Sequence, residues 1–160
     1  MMTFHFCPLE TQHALEILNW QYSAPYDIYN FQEENHTTDL NYLIDPCHHF
    51  FAILNLQTKL EGYCSFGKDG QVSGGCYTAP ALDIGMGMRP ELTGKGYGKV
   101  YAQAVVQYGA QHYQSNRFRV TIAAFNQRAQ RVWKQLGFRP VETFEKSNSQ
   151  EQFVVLIGAA

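Results

Sequence analysis

Apolar residues at helical spacing first gather between Thr11 and Trp20, where Ala14, Leu15 and Leu18 form a stripe and Thr11 is placed as an N-cap. Ahead of them, Thr3 to Phe6 reads as a strand. The segment QYSAPYDIYNF, with Pro25 and several rings, reads as loop or short helix, and Asp39 to Ile44 predicts another short helix stopped by Pro46. His49 to Leu54 is an apolar run of strand length, Asn55 to Lys59 is a polar turn, and Leu60 to Phe66 is the returning strand of a hairpin. Gly67 to Gly75 has the composition of a flexible loop. Tyr77 to Met88 reads as a strand broken by Pro80, Gly85 and Gly87, and glycine inside a strand marks a bulge or a close backbone approach.

From Gly98 to Tyr113 the period becomes helical, with Tyr101, Ala104, Val105 and Tyr108 on one stripe. Phe118, Val120, Ile122 and Ala124 then alternate with Arg119, Thr121 and Ala123 as a strand. Ala129, Val132, Trp133 and Leu136 give a further helical stripe, capped by Asn126 and ended by Gly137. Val141 to Phe144 and Gln152 to Ile157 form a closing hairpin around KSNSQ. Without a repeat or linker, this order predicts one domain over 1–160 with a mixed α/β sheet.

Composition narrows the function. In 160 residues, 45% apolar and 14% aromatic side chains are enough to bury a core. The formal net charge of −2, with no basic stripe, argues against a nucleic-acid partner. No apolar run approaches the roughly 18 residues of a membrane span, and the N-terminus lacks a basic region followed by an apolar one, so a cytoplasmic protein is expected. Cys7, Cys47, Cys64 and Cys76 form no C-x-x-C pair and read as reduced thiols. No metal is expected: Cys47, His48 and His49 are adjacent, and no second ligand pair stands at a standard spacing.

The segment with chemical content is ALDIGMGMRPELTGKGYGK, Ala81 to Lys99. A glycine-broken strand leads through Arg89-Pro90 to Gly94, Gly96 and Gly98, directly before a long helix. The first amides of a helix lack internal partners and its dipole favours an anion there. Glycines allow close approach of a diphosphate, and Lys95 and Lys99 add positive charge. The segment fails G-x-x-x-x-G-K-[ST], since Val100 follows Lys99, and Gly94-Lys95-Gly96-Tyr97-Gly98 is not G-x-G-x-x-G. On the glycines alone, a tight turn into a helix remains the competing explanation.

The flanks resemble the GNAT-type N-acetyltransferases. Thr93 to Gly98 is similar to that family's motif A, [QR]-x-x-G-x-[GA], although Thr93 stands where the pattern has Gln or Arg. Asn126-Gln-Arg-Ala129 followed by Val132-Trp133-Lys-Gln-Leu136-Gly137-Phe138 resembles motif B, with Trp133 in place of the usual tyrosine. The resemblance implies a mostly antiparallel sheet flanked by helices, with two splayed parallel strands, Leu82 to Met88 and Phe118 to Ala124. It implies acetyl-CoA as acyl donor, held by Met86, Gly87 and Met88 along the arm, by Thr93, Gly94, Lys95, Gly96, Tyr97, Gly98 and Lys99 at the diphosphate, and by Asn126 and Trp133.

By the same resemblance Asp83 is the candidate general base, with Glu91 and Glu33 behind it, Asn126 is a further catalytic candidate that bonds the arm or an ordered water, and a backbone amide near Gly85 to Met88 meets the thioester carbonyl. Trp133 cannot replace the tyrosine as an acid, because an indole N–H only donates. Trp20, Tyr26 and Tyr29 are placed to wall the pocket of an amine acceptor, where aromatic faces suit a cation. An acyl-CoA-binding protein without turnover and a nucleotide-binding domain are the competing readings. A second copy of the chain could pair with the open edge of the C-terminal hairpin.

Overall fold

The computed structural model describes residues 3–160. The elements are β1 (His5–Pro8), α1 (Thr11–Leu18), α2 (His36–Ile44), β2 (Phe50–Leu54), β3 (Leu60–Phe66), β4 (Leu82–Met88), α3 (Gly98–Tyr113), β5 (Arg117–Ala123), α4 (Gln127–Gln135), β6 (Arg139–Glu145) and β7 (Gln152–Ala159). Short 3-10 turns join several of them, among them Tyr26–Tyr29 and Pro90–Leu92. The strand order is β1-β2-β3-β4-β5-β7-β6 in a seven-stranded, mostly antiparallel sheet whose parallel pair is β4 with β5. No described helix is long and apolar enough to cross a membrane.

Two compact units are distinguished, one from the residues up to Cys64 with Met86–Thr93, the other from Ser65–Gly85 with Gly94–Ala160. In the first, β1 runs antiparallel to β2, and α1 and α2 bury Ala14, Ile17, Leu18 and Leu43 with Phe50, Ala52 and Leu60. Removing such side chains from water is the main favourable term in forming this core. In the second, α3 buries Tyr101, Ala102, Val105 and Val106, while β5 contributes Phe118 and Val120, and β7 contributes Val155 and Leu156. Trp133 of α4 meets Phe138 edge to face at 4.9 Å.

Several element boundaries depart from the sequence expectation, β1 among them, at His5–Pro8 rather than Thr3 to Phe6. α1 is capped one residue earlier, by Glu10, whose N–H donates to His13 Nδ1 at 3.1 Å. α2 starts at His36 rather than Asp39. β4 starts only at Leu82, not Tyr77. The reason lies in side-chain chemistry: the Tyr77 hydroxyl accepts from the Val72 N–H and bonds Thr121 Oγ1, both at 2.9 Å, and Pro80 has no N–H for a ladder.

Candidate active site

The turn before α3 is built by two left-handed residues. Gly94 has φ +71° and Gly96 φ +85°, values that a residue with a Cβ rarely adopts. Among the described residues, the N–H groups from Gly94 to Lys99 find no acceptor within the chain. Tyr97 occupies the N-cap position of α3 without a side-chain cap bond, and the first turn of α3 holds no acidic residue. A Cβ at Gly96 would meet nothing within 4 Å. Lys95 and Lys99 are exposed, as is Tyr97. The result is a curved row of donors at the positive end of a 16-residue helix, a shape that suits a phosphate group.

The flanking positions are held by contacts of their own. A Cβ at Gly98 would approach Val132 Cγ2 to 2.9 Å, so glycine lets the start of α3 lie against α4. Asn126 caps α4, its Oδ1 accepting from the Ala129 N–H at 3.0 Å. Arg128, in the first turn of that helix, brings Nη1 within 3.2 Å of where a Gly94 Cβ would be. The Thr93 hydroxyl donates to the Pro90 carbonyl at 2.7 Å, which commits its hydrogen to the turn and leaves none to offer a phosphate.

β4 and β5 pair in parallel through Leu82 with Phe118, Asp83 with Arg119 and Ile84 with Val120. Asp83 is 3% exposed. Its Oδ1 accepts from Arg119 Nε at 2.7 Å, and its Oδ2 from Arg119 Nη2 at 2.8 Å and Gln71 Nε2 at 3.0 Å. These bonds are the chief reason that the Arg119 guanidinium holds its proton more tightly than usual. Asp83 thus accepts three hydrogen bonds, one on Oδ1 and two on Oδ2, in a site nearly closed to water. The geometry shows this carboxylate as the partner of a buried guanidinium. Glu33 and Glu91 are exposed.

The end of β4 has a different character. The Arg89 N–H donates to the Glu61 carbonyl at 2.9 Å, which fixes the antiparallel register of β3 and β4 at that end. Ladder alternation then faces Gly87 toward Tyr63 and turns the N–H and C=O groups of Met86 and Met88 away from β3. The Tyr22 hydroxyl donates to the Met88 carbonyl at 2.6 Å. A Cβ at Gly87 would come within 2.4 Å of the Tyr63 ring, so the phenol occupies the space of the missing side chain.

The expected acceptor wall is only partly open. Trp20 is 7% exposed, lies 6.0 Å from Tyr63 and carries the Arg89 guanidinium 5.6 Å above its ring. Arg89 also pairs with Glu16. Tyr26 is half-buried and Tyr29 exposed, both on the 3-10 turn. Trp133, 4% exposed, takes the core-packing role that the sequence left open beside cofactor contact. Among the described residues no group of three or more His, Cys, Asp or Glu is arranged to hold a metal ion.

A family model described as the acetyltransferase (GNAT) family matches residues 12–138. The chain belongs to the GNAT acetyltransferase family. Its class of chemistry is therefore acyl transfer. Among solved structures, a GNAT-family acetyltransferase from Bacillus anthracis aligns with a TM-score of 0.74 at 18% identity, covering 99% of this chain and 96% of that one. A chimera of Vibrio cholerae spermidine N-acetyltransferase SpeG and hSSAT gives 0.74 at 15% identity, covering 98% and 95%. The dodecameric spermidine N-acetyltransferase from Vibrio cholerae gives 0.67 at 14% identity, covering 98% and 93%. At such identities the neighbours speak for the fold alone. No curated protein matches this GNAT chain in sequence.

Arg119, Arg128 and Tyr63 were not singled out by sequence reasoning. Arg128 lies inside the second motif, but nothing in spacing says that its side chain reaches Gly94. Arg119 stands in a strand pattern where either face was open to it.

Proposed function

We propose that this GNAT protein transfers the acetyl group of acetyl-CoA to a primary amine of a small molecule or peptide by direct attack. The observation that carries the reading is the row of N–H groups from Gly94 to Lys99, which find no acceptor among the described residues and stand at the start of α3. These donors receive the diphosphate. The amides of Met86 and Met88, turned away from β3, are the candidates for the pantetheine arm and the thioester oxygen. The amine nitrogen attacks the carbonyl carbon, the new C–N bond forms, and the C–S bond breaks. Sulfur leaves as thiolate and takes a proton from water, which a thiol pKa near 8.5 permits without a positioned acid. The proton lost by the amine also passes to water, since Asp83 is engaged by Arg119.

For the acceptor, Tyr26 and Tyr29 are the candidate ring contacts, with the buried Trp20 as the third residue of the expected wall. Cationic amines, polyamines included, head the panel to be tried. β6 ends the strand order, but its bulge at Pro140/Glu142 and Pro140 itself guard that edge against strand addition, so a homodimer would use another surface.

The test is a melting screen followed by thiol release. Acetyl-CoA should raise the melting temperature where ATP and NAD do not, and acetyl-CoA with a competent amine should liberate CoA thiol. A second reading, acyl-CoA binding without turnover, draws on the burial of Trp133 where the family has a tyrosine. Stabilisation by acetyl-CoA with no thiol released from any amine would favour it. No stabilisation at all would end both.

A further inference from the structure

The end of β4 is held from the loop that follows α1. The Tyr22 hydroxyl donates to the Met88 carbonyl at 2.6 Å, at the short end of the range for such a bond. On the other side of the same peptide, the Arg89 N–H donates to the Glu61 carbonyl at 2.9 Å. The Met88–Arg89 peptide plane is therefore tied at both ends, by a phenol and by β3. One residue earlier, Gly87 has no Cβ to limit its backbone, so the direction of this strand end depends on such outside bonds. A mobile water would satisfy the same carbonyl but would fix no direction.

Tyr22 is itself held. Its N–H donates to Asn30 Oδ1 at 2.7 Å, and Asn30 Nδ2 donates to Gln21 Oε1 at 3.2 Å. Within the loop, the Tyr26 N–H donates to the Ser23 carbonyl at 2.9 Å and the Asn30 N–H to the Asp27 carbonyl at 3.0 Å. These bonds close residues 22–30 into one compact loop. The loop that bears Tyr26 and Tyr29 thus shares one hydrogen-bonded frame with the strand end that carries the Met88 amide.

We propose that Tyr22 is a positioning residue for acyl transfer: through the Met88 carbonyl its hydroxyl sets the Met88 backbone, and so aims the Met88 N–H at the thioester oxygen. The inference rests on the acetyl-CoA reading above and adds to it a residue that acts through another. A donor to a developing oxyanion is effective only when it is held in place before the charge forms. A small tilt lengthens the contact and loses that benefit.

The experiment compares the full chain as wild type and as Tyr22→Phe, with acetyl-CoA isotopically labelled at the thioester carbonyl. Calorimetry gives the affinity, ligand-free melting checks the fold, and isotope-edited infrared spectroscopy reads the carbonyl stretch of the bound ligand. A hydrogen bond to that oxygen lowers the stretch. Tyr22→Phe should move the bound band up, toward an unbonded thioester, and keep the affinity for acetyl-CoA within about 3-fold of wild type. Tyr22→p-aminophenylalanine, which again offers a donor to the Met88 carbonyl, should bring the band back. Should Tyr22→Phe fold poorly, Asn30→Ala, which loosens the loop and keeps the hydroxyl, should move the band the same way by less. A band unmoved in Tyr22→Phe, with or without a fall in melting temperature, or a shift that the amino variant does not reverse, overturns the assignment. If wild type binds no acetyl-CoA, the acetyl-CoA reading falls and takes this one with it, and wild-type calorimetry alone identifies that outcome.

Discussion

Arg119 grips Asp83 from the adjacent parallel strand through two hydrogen bonds, Nε to Oδ1 at 2.7 Å and Nη2 to Oδ2 at 2.8 Å. Both residues are 3% exposed. The same guanidinium donates to the Ala79 carbonyl at 2.8 Å and lies 4.9 Å over the Tyr77 ring. One ion pair thus ties β4, β5 and the segment before β4 together. Asp83→Ala leaves a buried guanidinium without its counter-ion and should cost about 3–5 kcal/mol in urea unfolding. The double variant Asp83→Leu with Arg119→Met should recover much of that, because it removes both charges. An Asp83→Ala protein of unchanged stability that lost only kcat would return this carboxylate to the role of base.

Gly96 and Gly98 separate ligand contact from packing. Ala at position 96 meets no neighbour within 4 Å but must hold φ +85°, so its stability cost should be about 1–2 kcal/mol from backbone conformation alone. Its larger effect should fall on acetyl-CoA affinity, because the methyl group enters the space in front of the free amides. Ala at position 98 presses on Val132 Cγ2 at 2.9 Å and should destabilise the ligand-free protein. Melting curves with and without acetyl-CoA distinguish the two.

Gly87→Ala tests how β4 is held. The methyl group would collide with the Tyr63 ring, and an overpacked site of this kind costs about 1–3 kcal/mol. Tyr63→Ala opens the space but removes a ring that packs 6.0 Å from Trp20 and 6.2 Å from Phe50. In a double-mutant cycle the two changes should be non-additive, the double variant being more stable than the sum of the singles predicts. Additive losses would mean that ring and strand do not share this space.

The thiols should react in a definite order. Cys76 is exposed, and its hydrogen bond with Thr78 holds its pKa below the usual value, so more thiolate is present at a given pH. Cys64 is fully buried, and burial raises its pKa. Iodoacetamide at neutral pH should modify Cys76 in the native protein and Cys64 only after unfolding, as read by peptide mass. Thr78→Ala should slow the reaction at Cys76. Early modification of Cys64 would contradict its place in the core.

Local pattern carried much of the fold. β3 and α3 occupy the residues that the sequence pattern assigns to them, because most of their apolar positions are buried. Asn126 caps α4 as its side-chain chemistry requires. What escaped is set by distant partners. An acidic residue in an alternating strand reads the same whether it faces solvent or an arginine 36 residues away, so the Asp83–Arg119 pair was not legible. Trp133 at a motif position gives no sign of whether it meets a ligand or Phe138. The late start of β4 depends on a tyrosine hydroxyl bonded to Thr121, which strand propensity does not register.

The left-handed backbone at Gly94 and Gly96 also bears on turnover. That curl is installed as the chain folds, so little ordering is left for the moment when a ligand arrives. On the acetyl-CoA reading, the diphosphate handle passes unchanged from reactant to spent carrier, and a grip on it favours both equally. Such a grip cannot push the used carrier out. Departure of free CoA is then expected to set the pace of the cycle, and free CoA should compete with the donor at comparable concentrations.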